Sequence, residues 1–141
     1  MERSDTPLMT REELKRACLG ILDSMCIEHP AGHQSKLAAR YVIVARDGER
    51  IGLMFEKAPS APANLWMRAD HARRLGNPSC DFRDYPASNL YTEKDKNGEP
   101  IYGRHTGLKT MRDLAHADLV RLAIEDAGQL RDLLIALEGS V

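Results

Sequence analysis

Apolar residues recur at helical spacing near both ends of the chain. Thr10 and Glu13 have the spacing of a capping box and precede an apolar stripe, which predicts a helix over residues 11–26. Asp126 and Gln129 form a second capping pair before a second stripe. The leucines of the second stripe are Leu130, Leu133, Leu134 and Leu137. The pattern therefore predicts an amphipathic helix close to each end.

Between these helices, two neighbouring runs have the composition of β-strands. The first starts at Tyr41 and is rich in β-branched residues, and Asp47-Gly48 after it is a strong signal for a hairpin turn. Beyond the turn, apolar residues occupy every second position up to Phe55, so the return strand should have one buried face. These features predict a hairpin over residues 41–56.

Shorter elements are predicted in the rest of the chain. The apolar run at residues 65–67 favours a third strand, and alternation over residues 118–124 favours another. Asp70 is a candidate cap for a short helix over residues 71–75, and a second short helix is predicted over residues 108–115.

Residues 79–99 give the weakest pattern, because their aromatic and aliphatic residues are scattered among polar ones. A short strand is predicted over residues 89–92. The polar stretch at residues 95–98 ends in glycine and predicts a turn, with a return strand over residues 100–102.

In chain order, these elements predict an α+β fold. We expect a single domain with a mostly antiparallel sheet of about four to six strands and the N- and C-terminal helices packed on one face. The 141 residues match the usual size of one domain, so we expect a frayed leader over residues 1–9 and the domain over residues 10–141. Neither an apolar run of about 18 residues nor a secretion signal is recognisable, so we expect a cytoplasmic protein without membrane association.

The cysteines and histidines are candidate ligands for a metal ion. Three cysteines without a framework spacing, and no export signal, predict reduced thiols. Cys26, His29 and His33 form a local C-x2-H-x3-H string, but a structural zinc ion usually takes four ligands. We therefore predict that the protein binds no metal and needs no cofactor, with zinc at this string as the alternative.

Charge is unevenly distributed along the chain. The net charge is −1, yet residues 60–112 have three more basic than acidic residues, and residues 113–141 have four more acidic than basic residues. The basic middle segment is compatible with a surface for an anionic partner, although a mixed solvated surface gives the same count.

Two basic clusters lie in this middle segment. Arg104, His105 and Lys109 stand among glycines where the predicted second short helix begins, a combination that can hold a phosphate or carboxylate. The second cluster follows Trp66 and consists of Arg68, His71, Arg73 and Arg74. An aromatic ring near arginines can stack a base, but Trp66 lies in an apolar strand, and aromatic residues make up only 5% of the chain.

The signature motifs of nucleophilic hydrolases and of nucleotide-binding loops are absent from the sequence. We therefore favour a non-enzymatic binding or accessory module without catalytic residues, whose ligand is nucleic acid, another anion or a nucleic-acid-handling protein. The contact residues would be Arg68, Arg73, Arg74, Arg104, His105 and Lys109. The alternatives are a homodimeric or partner-binding protein without an anion site, and a small enzyme that uses His105 beside Arg104.

Overall fold

The computed structural model describes residues 9–76, 78 and 80–139, which form three α-helices and six strands. In chain order they are α1 (Arg11–Met25), β1 (Ile27–Glu28), β2 (Ala38–Val44), β3 (Arg50–Glu56), β4 (Asn64–Arg68), α2 (Ala69–Ala72), β5 (Phe82–Tyr85), β6 (Leu119–Ala123) and α3 (Ala127–Glu138). The strands pair in the order β1-β2-β3-β4-β6-β5, and every pair is antiparallel. The predicted α+β class with an antiparallel sheet is confirmed.

The central hairpin forms where the sequence predicts it. β2 and β3 pair over their full lengths, with Tyr41 opposite Leu53, and the Ala45 N–H donates to the Glu49 carbonyl at 2.8 Å across the turn. Gly48 has a φ of +89°, a conformation that side chains with a Cβ disfavour. The Asp-Gly signal therefore identified the turn correctly. The predicted strands over residues 65–67 and 118–124 are also confirmed, as β4 and β6.

The two long helices cover one face of the sheet, which we call the helical face. Both predicted caps are present: Thr10 Oγ1 accepts the Glu13 N–H at 3.1 Å, and Asp126 Oδ1 accepts the Gln129 N–H at 2.8 Å. The helices bury their stripes against alternate residues of the strands. These strand residues include Tyr41, Ile43, Ile51, Leu53, Phe55, Leu65, Met67 and Leu122. The expected packing of both terminal helices on one face is confirmed.

The opposite face, which we call the loop face, is covered by an irregular segment over residues 103–117. Leu108, Met111 and Leu114 of this segment are fully buried against Met54 and Trp66 of the sheet. The sheet is therefore sandwiched between helices on one side and a chain of turns on the other. Nothing in the hydrophobic pattern of the sequence predicted this second layer.

The covering segment approaches the sheet closely at Gly52 in β3. A Cβ atom added to Gly52 would lie 2.0 Å from Asp113 Oδ2, and Asp113 Oδ1 is held by His29 Nε2 at 2.9 Å. We expect Gly52→Ala to lower the free energy of unfolding by about 1–3 kcal/mol, because the added methyl group must displace the carboxylate and its partner. Urea denaturation followed by circular dichroism measures this cost.

A double variant separates the close approach from a general effect on the strand. Gly52→Ala combined with Asp113→Ala should cost less than the sum of the two single changes, because the clash disappears with the carboxylate. Strictly additive costs would show that Asp113 does not limit the space above Gly52.

The predicted helix over residues 108–115 is wrong. The structure has a single 3-10 turn at Thr106–Leu108, followed by turns, and the Met111 and Leu114 N–H groups each bond to a carbonyl three residues earlier. These tighter turns direct Leu108, Met111 and Leu114 toward the same sheet surface. The basic cluster around residue 105 therefore precedes a single 3-10 turn and not an α-helix.

Three other short elements also differ from expectation. The predicted strand over residues 89–92 is wrong, since Ala87–Asn89 is a 3-10 turn and the strand lies earlier, at β5. The return strand over residues 100–102 is reduced to an isolated antiparallel bridge between Lys94 and Pro100, beside which the Ile101 N–H donates to the Glu93 carbonyl at 2.9 Å. The helix near residue 70 starts earlier than predicted, as α2, and continues as a 3-10 turn over Arg73–Leu75.

Three further expectations concern the N-terminal leader, the cysteines and the membrane. The frayed leader lies almost wholly outside the described residues. Cys18, Cys26 and Cys80 are free cysteines, and burial raises the pKa of the Cys18 thiol to about 11 and that of Cys26 to about 12. Within the described residues, every helix is too short or too polar to cross a membrane.

Candidate anion-binding surface

Two of the arginines predicted to bind an anion have carboxylate partners inside the chain. Arg68 donates from Nε and Nη2 to both oxygens of Asp70, at 3.0 and 2.8 Å. Arg74 donates to Asp47 Oδ2 at 3.2 Å and also to the Glu49 carboxylate. Both guanidinium groups are therefore neutralised locally, and an incoming anion would compete with a carboxylate for each.

Arg104 has a structural position. It is buried, and its Nη2 donates to the Tyr85 carbonyl at 2.6 Å while Nη1 donates to the carbonyls of Leu114 and Ala115 at 3.4 and 3.2 Å. The guanidinium group thus connects β5 to the covering segment. Its Nη1 and Nη2 donors are engaged by backbone carbonyls, although the residue also lines the hollow beside β5.

The other three predicted contact residues lie at separate places. Lys109 is exposed and stands over the Tyr102 ring at 5.5 Å, and His105 is half-buried with Nδ1 accepting the Gly107 N–H at 2.9 Å. Arg73 is exposed beside a hollow of about 170 Å³ that Arg68 also lines. The structure brings Arg68 and Arg73 to one hollow and gives no contact that joins them to His105 or Lys109. Anion binding by the six residues stays a prediction.

The local cysteine–histidine string does not converge on one point. Nδ1 of His29 accepts the Ala31 N–H at 3.0 Å and its Nε2 contacts Asp113, while Nδ1 of His33 accepts the Arg40 N–H at 2.9 Å. Among the described residues, no group of three potential ligands is placed to hold a metal ion.

A layer of polar side chains is buried between the sheet and the covering segment. Glu56 Oε2 accepts the Trp66 Nε1–H at 2.7 Å and the Asn64 amide at 3.2 Å, and Arg40 Nε donates to the Gly107 carbonyl at 2.9 Å. Burial lowers the pKa of the nearby His105, although the Glu56 carboxylate opposes that shift. The layer fixes the orientation of the Trp66 indole ring on the loop face.

Next to Trp66, the sheet carries a set of side chains that we call the ladder: Arg83, Tyr85, Arg121 and Trp66. Arg83 on β5 is the register partner of Arg121 on β6, and Arg121 is the register partner of Trp66 on β4. Tyr85 stands two residues from Arg83 and therefore shares its face. Three adjacent strands thus place two arginines and two aromatic rings on one part of the loop face.

The members of the ladder stack on one another. The ring centroids of Trp66 and Tyr85 are 4.6 Å apart, and Arg83 Cζ lies 4.9 Å from the Tyr85 centroid. Arg121 Cζ lies 5.3 Å from the Tyr85 centroid and 5.8 Å from that of Trp66. These distances are within the range of cation–π contacts. Trp66 is buried, Tyr85 and Arg121 are half-buried, and Arg83 is exposed, so the ladder leads from the core to the surface.

The electrostatics of the ladder are unbalanced. Like charges directly opposite each other on adjacent strands are destabilising. Neither Arg83 nor Arg121 has a carboxylate within 4.0 Å in the described part of the chain, in contrast to Arg68 and Arg74. The aromatic rings offset part of the repulsion, but an anion would offset more of it. The ladder is therefore the best candidate for an anion-binding surface.

A hollow of about 180 Å³ adjoins the ladder at the outer edge of β5. Arg83 and Tyr85 line one side of it, and residues of the following loop, among them Thr92 and Glu93, line the other. The hollow gives a ligand on the ladder room to extend past the edge of the sheet.

Neither Arg83 nor Arg121 was among the predicted contact residues, although Trp66 stands out in the sequence as an aromatic residue near arginines. Arg121 lies in a predicted strand and alternates with buried residues, which placed it on the opposite face from Val120 and Leu122. That signal was present in the sequence, but its proximity to Trp66 depends on the pairing of β6 with β4.

Comparisons with protein-family models, with curated proteins and with solved structures gave no match. By its structure, the protein is an α+β protein with an antiparallel sheet, and the ladder lies on the loop face of that sheet.

Proposed function

We propose that this protein is a non-enzymatic binding module for an anionic ligand, and that the ligand is single-stranded nucleic acid. The observation that carries the proposal is the pair Arg83 and Arg121. These two arginines lie opposite each other on the adjacent strands β5 and β6, and neither has a carboxylate partner among the described residues. A phosphate against both guanidinium groups would replace their repulsion with charge-assisted hydrogen bonds. The proposal keeps the anionic ligand expected for the basic middle segment and assigns its contact to other residues.

Single-stranded nucleic acid combines the two chemistries that the ladder offers. Its phosphates suit the arginines, and its unstacked bases can stack on aromatic rings and on guanidinium planes. Arg83 is exposed and lies over the Tyr85 ring, so it offers a planar cationic surface to a base. A double helix keeps its base faces stacked inside and would use only the charges.

Removing either ladder arginine should weaken nucleic-acid binding. We expect Arg83→Ala and Arg121→Ala each to raise the dissociation constant for a labelled oligothymidylate. Each change should also reduce the slope of log Kd against log salt concentration by about one, the effect of losing one phosphate contact. Fluorescence anisotropy titrations at several salt concentrations measure both quantities.

Arg131→Ala is the matched control. Arg131 is an exposed arginine on α3, on the helical face, so its removal changes the net charge equally without touching the ladder. It should leave the salt slope unchanged. Absence of binding at low salt, or an equal loss with Arg131→Ala, would refute the proposal. Tighter binding of duplex than of single strands would contradict the stacking role of Tyr85 and Arg83.

A further inference from the structure

A second concave site lies on the helical side of the molecule, between the first half of α1 and the loop after β3. It is a groove of about 470 Å³, within the size range of small-molecule sites. Its lining residues are Arg11, Glu12, Lys15, Arg16, Leu19, Lys57 and Pro59. Four of these residues are basic and one is acidic, so the groove has a positive lining with an apolar part.

Most of the positive charge in the groove is not neutralised by carboxylates. Arg11 donates to the Ser60 carbonyl at 3.1 Å, and Lys57 donates to the Gln34 carbonyl at 2.8 Å. Of the four cations, Arg16 alone has a carboxylate within 4.0 Å in the described part of the chain, the exposed Glu12 at 3.6 Å. The groove therefore keeps a surplus of positive charge at its surface.

Lys15 is the most unusual member of the groove. It lies on the buried side of α1 with Cys18 and Leu22, and it is only 5% exposed. Lysine is almost never buried to this degree unless it is paired. Its Nζ donates to the Ala58 carbonyl at 2.5 Å, which uses one of the three N–H donors of an ammonium group. Burial lowers the pKa of Lys15, and the Glu56 carboxylate opposes that shift.

We propose that this groove binds a small organic carboxylate with an apolar body. The carboxylate contacts Lys15 and the neighbouring cations Arg11 and Lys57, and the apolar body lies against Leu19 and Pro59. A singly charged group fits better than phosphate, because each of these three cations already gives a hydrogen bond to a backbone carbonyl. This site uses none of the ladder residues, so it is independent of the proposed nucleic-acid function.

Displacement of a fluorescent amphipathic anion, anilinonaphthalene sulfonate, tests the proposal with decanoate as the competing carboxylate. Decanoate should displace the probe. Decanol should displace little of it because it has no negative charge, and inorganic phosphate should displace little of it because it has no apolar body. Lys15→Met keeps the buried stem without the charge and should weaken decanoate binding by about tenfold, the usual loss of a charge-assisted hydrogen bond. Circular dichroism checks that the variant is folded.

Arg11→Ala gives a second measurement if Lys15→Met does not fold, because Arg11 is exposed and lines the same groove. It should also weaken decanoate binding. Lys36→Met, a change at an exposed lysine outside the groove, is the matched control and should have no effect. Equal displacement by decanol, unchanged binding in both groove variants, or loss of binding in Arg83→Ala instead would overturn the proposal.

Discussion

Leu134→Ala is expected to lower the free energy of unfolding by about 2–5 kcal/mol, the usual range for a buried leucine. Leu134 lies on the inner side of α3 and is fully buried in the core that α1, α3 and the sheet share. Its truncation leaves a cavity among side chains from several elements, and the rigid sheet cannot collapse to fill it. Urea denaturation with an unchanged m-value would assign the loss to the folded state.

A control on the same helix separates core packing from helix propensity. Asp132→Ala replaces an exposed residue of α3 with the best helix former and should change stability by less than about 0.5 kcal/mol. A cost below about 0.5 kcal/mol for Leu134→Ala would mean that α3 contributes little to the core.

The elements that the sequence predicted well are those whose signals are local. The capping pair of Thr10 and Glu13 and the Asp47-Gly48 turn each act within a few residues, so neighbouring positions contain the whole signal. The terminal helices and the hairpin also bury one face, which makes their periodicity visible. These elements were sufficient to predict the fold class.

The elements that the sequence predicted poorly lack such a local signal. Three of the four residues of β5 are exposed, so apolar and polar positions do not alternate there. The covering segment buries Leu108, Met111 and Leu114 through successive turns, and their spacing of three residues imitates a helix. The choice between an α-helix and successive turns therefore depends on the sheet surface beneath this segment, which the local sequence does not contain.

The candidate sites depend on contacts between distant parts of the chain. Arg83 meets Arg121 because β5 adds to the edge of β6, and no property of either residue encodes that register. The groove likewise brings Lys57 to the first half of α1. In contrast, Arg104 looked available to a ligand because its acceptors, the carbonyls of Tyr85, Leu114 and Ala115, are not visible in a sequence.

Arg104→Met is expected to lower the free energy of unfolding by about 2–3 kcal/mol, because three backbone carbonyls lose a charged donor and a hydrogen bond to a charged group contributes about 1.5–3 kcal/mol. Methionine retains the aliphatic part of the side chain, but it leaves the carbonyls of Tyr85, Leu114 and Ala115 without this donor. The loss should fall first on the covering segment, because the guanidinium group connects that segment to β5. We therefore expect local release of this segment at lower denaturant concentration than global unfolding.

Trp66 reports that release directly. It is the only tryptophan of the chain, it is 2% exposed, and it packs beneath the covering segment. In Arg104→Met, its emission should shift to longer wavelength before the helical circular dichroism signal is lost, whereas the two transitions should coincide in the unmodified protein. Lys109→Ala, at an exposed position of the same segment, should leave both transitions in place. If Arg104→Met kept full stability and lost oligothymidylate binding, Arg104 would be a ligand-contact residue, as the sequence pattern first predicted, and not an anchor of the covering segment.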